Sequence, residues 1–327
     1  MNEEFLINSY LKKLSKNNPS ALNLNDDVFF DKTKKLVISV DTYNEGIHFL
    51  NFSKPDLVIR KIIRSSISDI YAKGVRPNYF FLAGSGNKKH FTKKNMSLIN
   101  KSLSSEQNRF NIKLSGGDTT SSKNLSFTVI SLGYSNNIVY RNKAKIGDDI
   151  YLTGNVGDSH IGLKALKKKI NLNSNQKKYF IDKYYSPILP IKFSSHLFKI
   201  ANCSMDVSDG LVIDLNKLIN KQKLGYLIDI ERIPISNHLK KLIKNKKLKK
   251  LDYLLNGDDY QILFTASKSK RKYIKTLSSK MNQKISIIGQ INTKSKNYLL
   301  DNRRIPIKNL KYQGYSHIFW EVKYCLL

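Results

Sequence analysis

Cysteine is nearly absent from this chain. Cys203 and Cys325 are the two in 327 residues, too few for a disulfide framework, so a reducing cytoplasm is expected. No apolar run approaches the ~20 residues of a membrane-spanning helix, and Met1-Asn2-Glu3-Glu4 lacks the basic and apolar pattern of a secretion signal. The common nucleotide signatures are missing too. There is no Gly-x4-Gly-Lys-Ser/Thr loop, and Gly84-Ser85-Gly86 lacks the third glycine of a dinucleotide fingerprint. Neither a G-x-S-x-G elbow nor an H-E-x-x-H helix occurs. His48, His90, His160, His196, His238 and His317 are scattered, which argues against a histidine-built zinc site.

Acidic residues are scarce as well, 25 Asp plus Glu against 57 Lys plus Arg, for a net charge of +32. Such a balance invites a nucleic-acid reading. The lysines, however, are spread among Asn, Ile and Ser along the whole chain, as expected of a solvated surface with a compositional bias. The densest run, Lys240 to Lys250, holds seven lysines in eleven residues. A wet basic face is its plainer reading and a polyanion site the rival. No aromatic-rich RNA-binding signature accompanies it, so neither nucleic acid nor membrane is expected as a partner.

What is present is a chain long enough for two domains, with 40% hydrophobic and 10% aromatic residues to fill their cores. Leu6, Ile7, Tyr10, Leu11 and Leu14 predict an amphipathic opening helix over 3–14. Asn25-Asp26-Asp27 leads into a short strand, and a second strand, Leu36 to Val40, ends on Asp41. A strand-end carboxylate suits a ligand site in layered α/β folds, and a turn-initiating Asp would look the same. Pro55 opens a helix that runs to about Ala72 and stops at Gly74, with Ile59, Ile62, Ile63, Ser66, Ile67 and Ile70 on one face and Asp69 beside it. Gly116-Gly117-Asp118-Thr119-Thr120 precedes an alternating strand, Leu125 to Tyr134.

The second half alternates strands (150–153, into Asp206, 226–231, 260–265, 285–289) with helices after Gly157, after Gly210 and over the lysine-rich 236–250. That order predicts an α/β (or α+β) architecture in two domains, 1–140 and 141–327. The aromatic ending, Tyr312 to Trp320, reads either as core packing or as a closure over a site.

With histidine, cysteine and the usual loops set aside, the remaining candidates are oxygen donors: Asp27, Asp41, Asp69, Asp118, Asp206, Asp209 and Asp258. Hard oxygen ligands suit magnesium. Two carboxylates ~4 Å apart repel by roughly 4 kcal/mol at an effective dielectric of 20. If several converge on one cleft, cations must hold them there.

These stretches, in this order, resemble the thiamine-monophosphate kinase family, whose superfamily also holds aminoimidazole ribonucleotide synthetase and selenophosphate synthetase. Asn25-Asp26-Asp27 is similar to its Gly-Asp-Asp. Ser39-Val40-Asp41-Thr42 with Glu45-Gly46-Ile47-His48-Phe49 is similar to its Asp-Thr…Gly-x-His-Phe segment. Ser68-Asp69-Ile70-Tyr71-Ala72-Lys73-Gly74 resembles its Ser-Asp-Leu-Ala-Ala-Met-Gly helix end. Gly116-Gly117-Asp118-Thr119-Thr120, Gly154, Gly157-Asp158-Ser159 and Asp206-Val207-Ser208-Asp209-Gly210-Leu211 match outright. Asn256-Gly257-Asp258-Asp259 stands where the family has Gly-Gly-Glu-Asp, and Val40 where a threonine is common.

The resemblance implies ATP-dependent, magnesium-assisted phosphoryl transfer to thiamine monophosphate. By it, Asp27, Ser39, Asp41, Asp69, Asp118, Asp206 and Asp209 hold several Mg2+ ions, with Asp41, Asp118 and Asp209 the catalytic members. Gly117, Asp118, Arg141 and Ser208 contact ATP, and His48, Asp258 and Tyr312 contact the substrate. The N-terminal domain pairs its mixed sheet with a twin in a homodimer, and the C-terminal domain closes the cleft. A ribonucleotide cyclase of the same superfamily is the nearest rival. Selenophosphate synthesis is disfavoured, since no N-terminal Cys or Sec followed by Lys is present.

Overall fold

Two six-stranded sheets share the strands of the computed structural model, which describes residues 3–246, 248–293, 296–301, 303, 305–307, 314, 315 and 317. The opening segment is helical, as its spacing predicts. Its pitch changes from α1 (Glu3–Leu6) through a π turn over Ile7–Leu11 to a 3-10 turn over Lys12–Ser15. Phe5, Tyr10, Leu11 and Leu14 are exposed, so no packing enforces a regular helix there.

The first sheet takes β1 (Phe29–Asp31), β2 (Leu36–Asn44), β3 (Pro77–Gly86), β4 (Lys113–Gly116), β5 (Thr119–Ser121) and β6 (Ser126–Tyr134), with α2 (Pro55–Ala72) and α3 (Lys93–Phe110) between strands in the chain. Its order is β1-β2-β6-β3-β4, with β5 also beside β3. The strands β4 and β5 run parallel to β3 and the other pairs are antiparallel, so the sheet is mixed. Alternation sets its inner face: Val37, Ser39 and Tyr43 of β2 and Phe127, Val129 and Ser131 of β6 are buried. The strand β2 does not stop at Asp41. The ladder continues through Asp41 opposite Val129 and Thr42 opposite Thr128 to Asn44 opposite Ser126, so Asp41 lies mid-strand, on the buried side.

Helix α2 has Pro55 in its first turn and stops before Gly74 (φ +79°), as the sequence predicts. Sheet side chains Tyr43, Phe127 and Val129 share a core with one side of it, and Tyr184, Tyr185, Leu189 and Tyr260 from the second half join the same core. Ile59, Ile62, Ile63, Ile67 and Ile70 are fully buried. Their burial contributes on the order of 10 kcal/mol, enough to carry the polar groups of α2 into the interior with them.

The second half contributes β7 (Asp149–Thr153), α4 (Asp158–Leu166), α5 (Ser174–Tyr185), the short α6 (Ile191–Ser194) and α7 (Leu197–Ile200), β8 (Cys203–Asp206), α8 (Leu211–Leu218) and β9 (Gly225–Asp229). Then follow α9 (Asn237–Lys246), α10 (Leu251–Leu254), β10 (Ile262–Ala266), α11 (Arg271–Met281), β11 (Ile285–Asn292) and β12 (Tyr298–Leu300). The sheet order is β12-β9-β11-β7-β10-β8, antiparallel except for β12 against β9. The lysine-rich stretch breaks into α9 and α10 instead of one helix over 236–250. No helix among the described residues is long and apolar enough to cross a membrane.

Candidate active site

The last turn of α2 joins the two halves. Ser39 Oγ of β2 donates to Asp69 Oδ2 at 2.5 Å, and the neighbouring Ser68 donates to Asp206 at the end of β8. Asp41 lies beside them on β2, and its Oδ2 is buried with no hydrogen-bond partner. Among the described residues none of these three carboxylates has an ion-pair partner, and the cost shows. Burial and the Asp206 charge push Asp41 up to about 7, burial and Asp27 push Asp206 up to about 7, and burial with Asp41 and Asp206 holds Asp69 well above the ordinary range.

The other acids bring their own cations. Lys73, fully buried at the end of α2, reaches Asp26 Oδ1 at 2.7 Å, Asp27 Oδ2 at 2.6 Å and the Ser204 carbonyl at 2.9 Å. Arg141 binds Asp27 Oδ1 at 2.7 Å, and its backbone N–H donates to Asp26 Oδ2 at 3.0 Å. Burial opposes ionisation of Asp27, but Arg141 and Lys73 outweigh it and hold the carboxyl at about 2. Asp209 Oδ2 pairs with Lys217 at 2.5 Å. Beneath it the buried Asp214 accepts the N–H groups of Asp209 and Gly210, both at 3.0 Å, and so fixes the start of α8. Asp258 Oδ1 pairs with Lys61, whose ammonium lies 3.9 Å over the Tyr184 ring.

Sequence reasoning missed Lys61, Lys73, Lys217 and Asp214. Three lysines do not stand out among 57 basic residues. The usable signal was on α2 itself: isoleucines and serines cover so much of its surface that no fully wet face is left for Lys61 or Lys73. Lys73 also occupies the methionine position of the helix-end motif quoted above.

Two loops nest where α8 begins. Asp258 N–H donates to the Ser208 carbonyl at 2.8 Å, and Tyr260 N–H to that of Val207 at 2.8 Å. A Cβ on Gly257 would lie 1.8 Å from the Ser208 carbonyl oxygen, so this approach requires glycine. Asp258 itself adopts φ +68°. Ser208 and Asp258 are thereby held as one unit.

Gly117 and Asp118 are placed differently. A Cβ on Gly117 would lie 1.9 Å from the Leu82 carbonyl oxygen, and the exposed Asp118 side chain accepts the N–H of Thr119 at 2.8 Å. Asp41 pairs with Val129, which pairs with Leu82. The Gly117–Asp118 corner therefore lies on the row of Asp41 but three strand spacings away, roughly 14 Å. Within one chain Asp118 does not join the buried acids.

Residues 24–134 match the family model described as AIR synthase related protein, N-terminal domain, and residues 145–302 match the corresponding C-terminal domain. The thiamine-monophosphate kinase of Buchnera aphidicola from Acyrthosiphon pisum is 34% identical over 323 residues, 95% of this chain and 97% of that protein. The enzyme of the same name from Aquifex aeolicus is 30% identical, over 73% of this chain and 78% of its own length. A solved structure described as AaThiL complexed with AMPPCP and TMP superposes with a TM-score of 0.83 at 26% identity, covering 97% of each chain. The chain belongs to the thiamine-monophosphate kinase family.

Among the residues that the thiamine-monophosphate kinase resemblance assigns to substrate, His48 has its ring 5.4 Å from that of His317 at a tilt of 46°, accepts the Asn44 N–H on Nδ1 at 2.9 Å, and is held down to about 4 by burial and by His317. Tyr312 lies outside the described residues; Tyr315, whose N–H donates to the Asp209 carbonyl at 2.9 Å, is the nearest described tyrosine of that segment. The acids also allow magnesium to be tested for fit. Asp41, Asp69 and Asp206 are hard oxygen donors without an ion-pair partner among the described residues, and one oxygen lacks any partner. Among the described residues no three His, Cys, Asp or Glu side chains lie close enough to hold a metal ion by themselves, so a bound Mg2+ would need waters or substrate phosphates to complete its shell. The donor set fits.

Proposed function

We propose that this chain transfers the γ-phosphoryl group of ATP to the phosphate of thiamine monophosphate, giving thiamine diphosphate and ADP. The observation that carries the reading is the meeting of Asp41 and Asp69, from the first half, with Asp206, from the second, at the end of α2. It occurs in a chain whose relatives over nearly the same length bear that name. Asp41, Asp69 and Asp206, with the Ser39 hydroxyl, would hold Mg2+, with Asp209 beside them and Asp118 at the sheet edge as further acids of the proposed set; Asp27, expected among the metal ligands, is instead paired with Lys73 and Arg141. Bound there, Mg2+ neutralises phosphate charge and helps align the reacting oxygens.

The protein groups supply positioning. Arg141 is anchored by Asp27 while its Nε keeps no hydrogen-bond partner, leaving a donor for a phosphate oxygen. Gly117 and Asp118 at the sheet edge and Ser208 in the nested loops complete the proposed ATP contacts. A phosphate acceptor is already ionised at neutral pH, so no general base is required. His48 agrees with this: it is neutral at pH 7 and its Nδ1 is occupied by a backbone N–H. We read the transfer as direct and in-line, with His48 and Asp258 against the thiamine moiety and the division between domains at 140/141.

Assembly as a homodimer belongs to the same reading. The sheet face away from α2 carries Val40 opposite Ile130 opposite Phe81, and Ile38 opposite Leu132 opposite Tyr79. Val40, Tyr79 and Tyr134 are well exposed. An outer face this apolar suits a second copy. A reducing cytoplasm suits the buried free thiol of Cys203.

The test is ADP release with thiamine monophosphate, with and without Mg2+, and with no acceptor. Acceptor-dependent and Mg2+-dependent release supports the reading. Equal release without acceptor, or none with it, contradicts it.

A further inference from the structure

We infer that Lys73 is a built-in cation of the site, its ammonium holding the place between Asp26 and Asp27 that a divalent ion would otherwise take. The inference rests on reading the site as that of a magnesium-dependent phosphotransferase. An ammonium has three N–H donors, and Lys73 Nζ has three close acceptors: Asp26 Oδ1 at 2.7 Å, Asp27 Oδ2 at 2.6 Å and the Ser204 carbonyl at 2.9 Å. The ammonium is fully buried among these three oxygens, hydrogen-bonded to the Ser204 carbonyl and ion-paired with both carboxylates, so Lys73 is a positioning residue and not a substrate ligand. Arg141 closes the remaining side, with its guanidinium on Asp27 Oδ1 and its N–H on Asp26 Oδ2.

Two carboxylates thus face two protein cations, and the corner is neutral without metal. A divalent ion arriving there would meet protein cations already against both carboxylates, with Asp27 Oδ2 holding the Lys73 ammonium at 2.6 Å as an ion pair and no hydrogen bond. Asp69 and Asp206 accept from hydroxyls, Asp41 Oδ2 has no hydrogen-bond partner, and among the described residues none of the three has an ion-pair partner. Lys73 also spans the halves. Its helix belongs to the first sheet's core, while Ser204 sits on β8 two residues before Asp206. The ammonium therefore fixes where Asp206 meets Asp69, a task that a bound ion would perform only after loading.

The experiment counts Mn2+ bound per full-length chain by equilibrium dialysis, without nucleotide, for wild type, Lys73→Met and Asp26→Asn/Lys73→Met, with thermal melting at each Mn2+ concentration. Methionine keeps much of the length and removes the charge. Lys73→Met is expected to bind one Mn2+ more than wild type and to gain more in melting temperature from Mn2+, and the double variant is expected to lose the extra ion. In the ADP assay Lys73→Met is expected to raise the half-saturating Mg2+ concentration about tenfold. Equal Mn2+ counts in wild type and Lys73→Met would overturn the inference, as would a Lys73→Met chain that stays unfolded in saturating Mn2+. If wild type fails to phosphorylate thiamine monophosphate, the functional reading falls, while the Mn2+ counts still decide the role of Lys73.

Discussion

Asp27 and Asp41 are acids of the same half of the chain, one just before β1 and the other in the middle of β2, and burial penalises the charge of both. They are nevertheless driven in opposite directions, Asp27 down to about 2 and Asp41 up to about 7. The difference is in their neighbours. Arg141 and Lys73 stand against Asp27, whereas Asp41 faces Asp206 and two hydroxyl-bearing side chains. A buried acid with its own cation is compensated within the chain, and on the proposed reading one without is the place for Mg2+.

The largest expected effect breaks the uncompensated side. Asp41→Asn should lower the rate of ADP release by about 10^3-fold or more, roughly 4 kcal/mol of transition-state stabilisation. Thermal melting of the metal-free chain should be unchanged or higher, because a repelling charge has gone.

The compensated side is tested away from the site. Arg64 and Glu106 are both buried and paired at 2.7 and 3.0 Å between α2 and α3. Arg64→Met should cost about 3 kcal/mol in urea unfolding, with turnover per folded molecule retained. A lost rate in well-folded Arg64→Met would show that compensation does not mark a framework role.

A base obeys the same logic with the sign reversed. Burial, then His317, holds His48 at about 4, so the unfolded chain takes up this proton first as pH falls below about 6.5. The stability His48 contributes is complete above that pH and is lost on the way down to about 4. His48→Phe should remove about 1–2 kcal/mol of that acid-side loss after allowance for solvent screening, read from melting temperatures between pH 7 and 4.5.

The smallest effect converts one class into the other. Lys217 is partly exposed beside Asp209. Lys217→Met should alter stability by less than about 1 kcal/mol and lower the half-saturating Mg2+ concentration about fivefold, measured in the ADP assay. Weaker Mg2+ dependence would place Asp209 outside the metal set.

The sequence made the fold largely legible where periodicity and punctuation agree. Pro55 and Gly74 bracket α2, and the alternation in β6 sets its inner face, because these signals are local. Short motifs also singled out Asp69 and Asp206, which the fold brings to the same end of α2. The run of β2 past Asp41 was not legible, because only the ladder to β6 keeps that strand going. The distance of Asp118 from the buried acids depends on strand order, which no local pattern encodes. The lysines were hidden for a further reason: residues 73 and 26 meet only when α2 is packed, and surface lysines elsewhere look identical in the chain.

The most direct test of the claim that Asp41, Asp69 and Asp206 await a divalent ion is a calorimetric titration of Mg2+ into the chain with a non-hydrolysable ATP analogue, for wild type and Asp41→Asn. The account expects saturable Mg2+ binding by wild type and at least one ion fewer in Asp41→Asn. Identical uptake by the two proteins would contradict it.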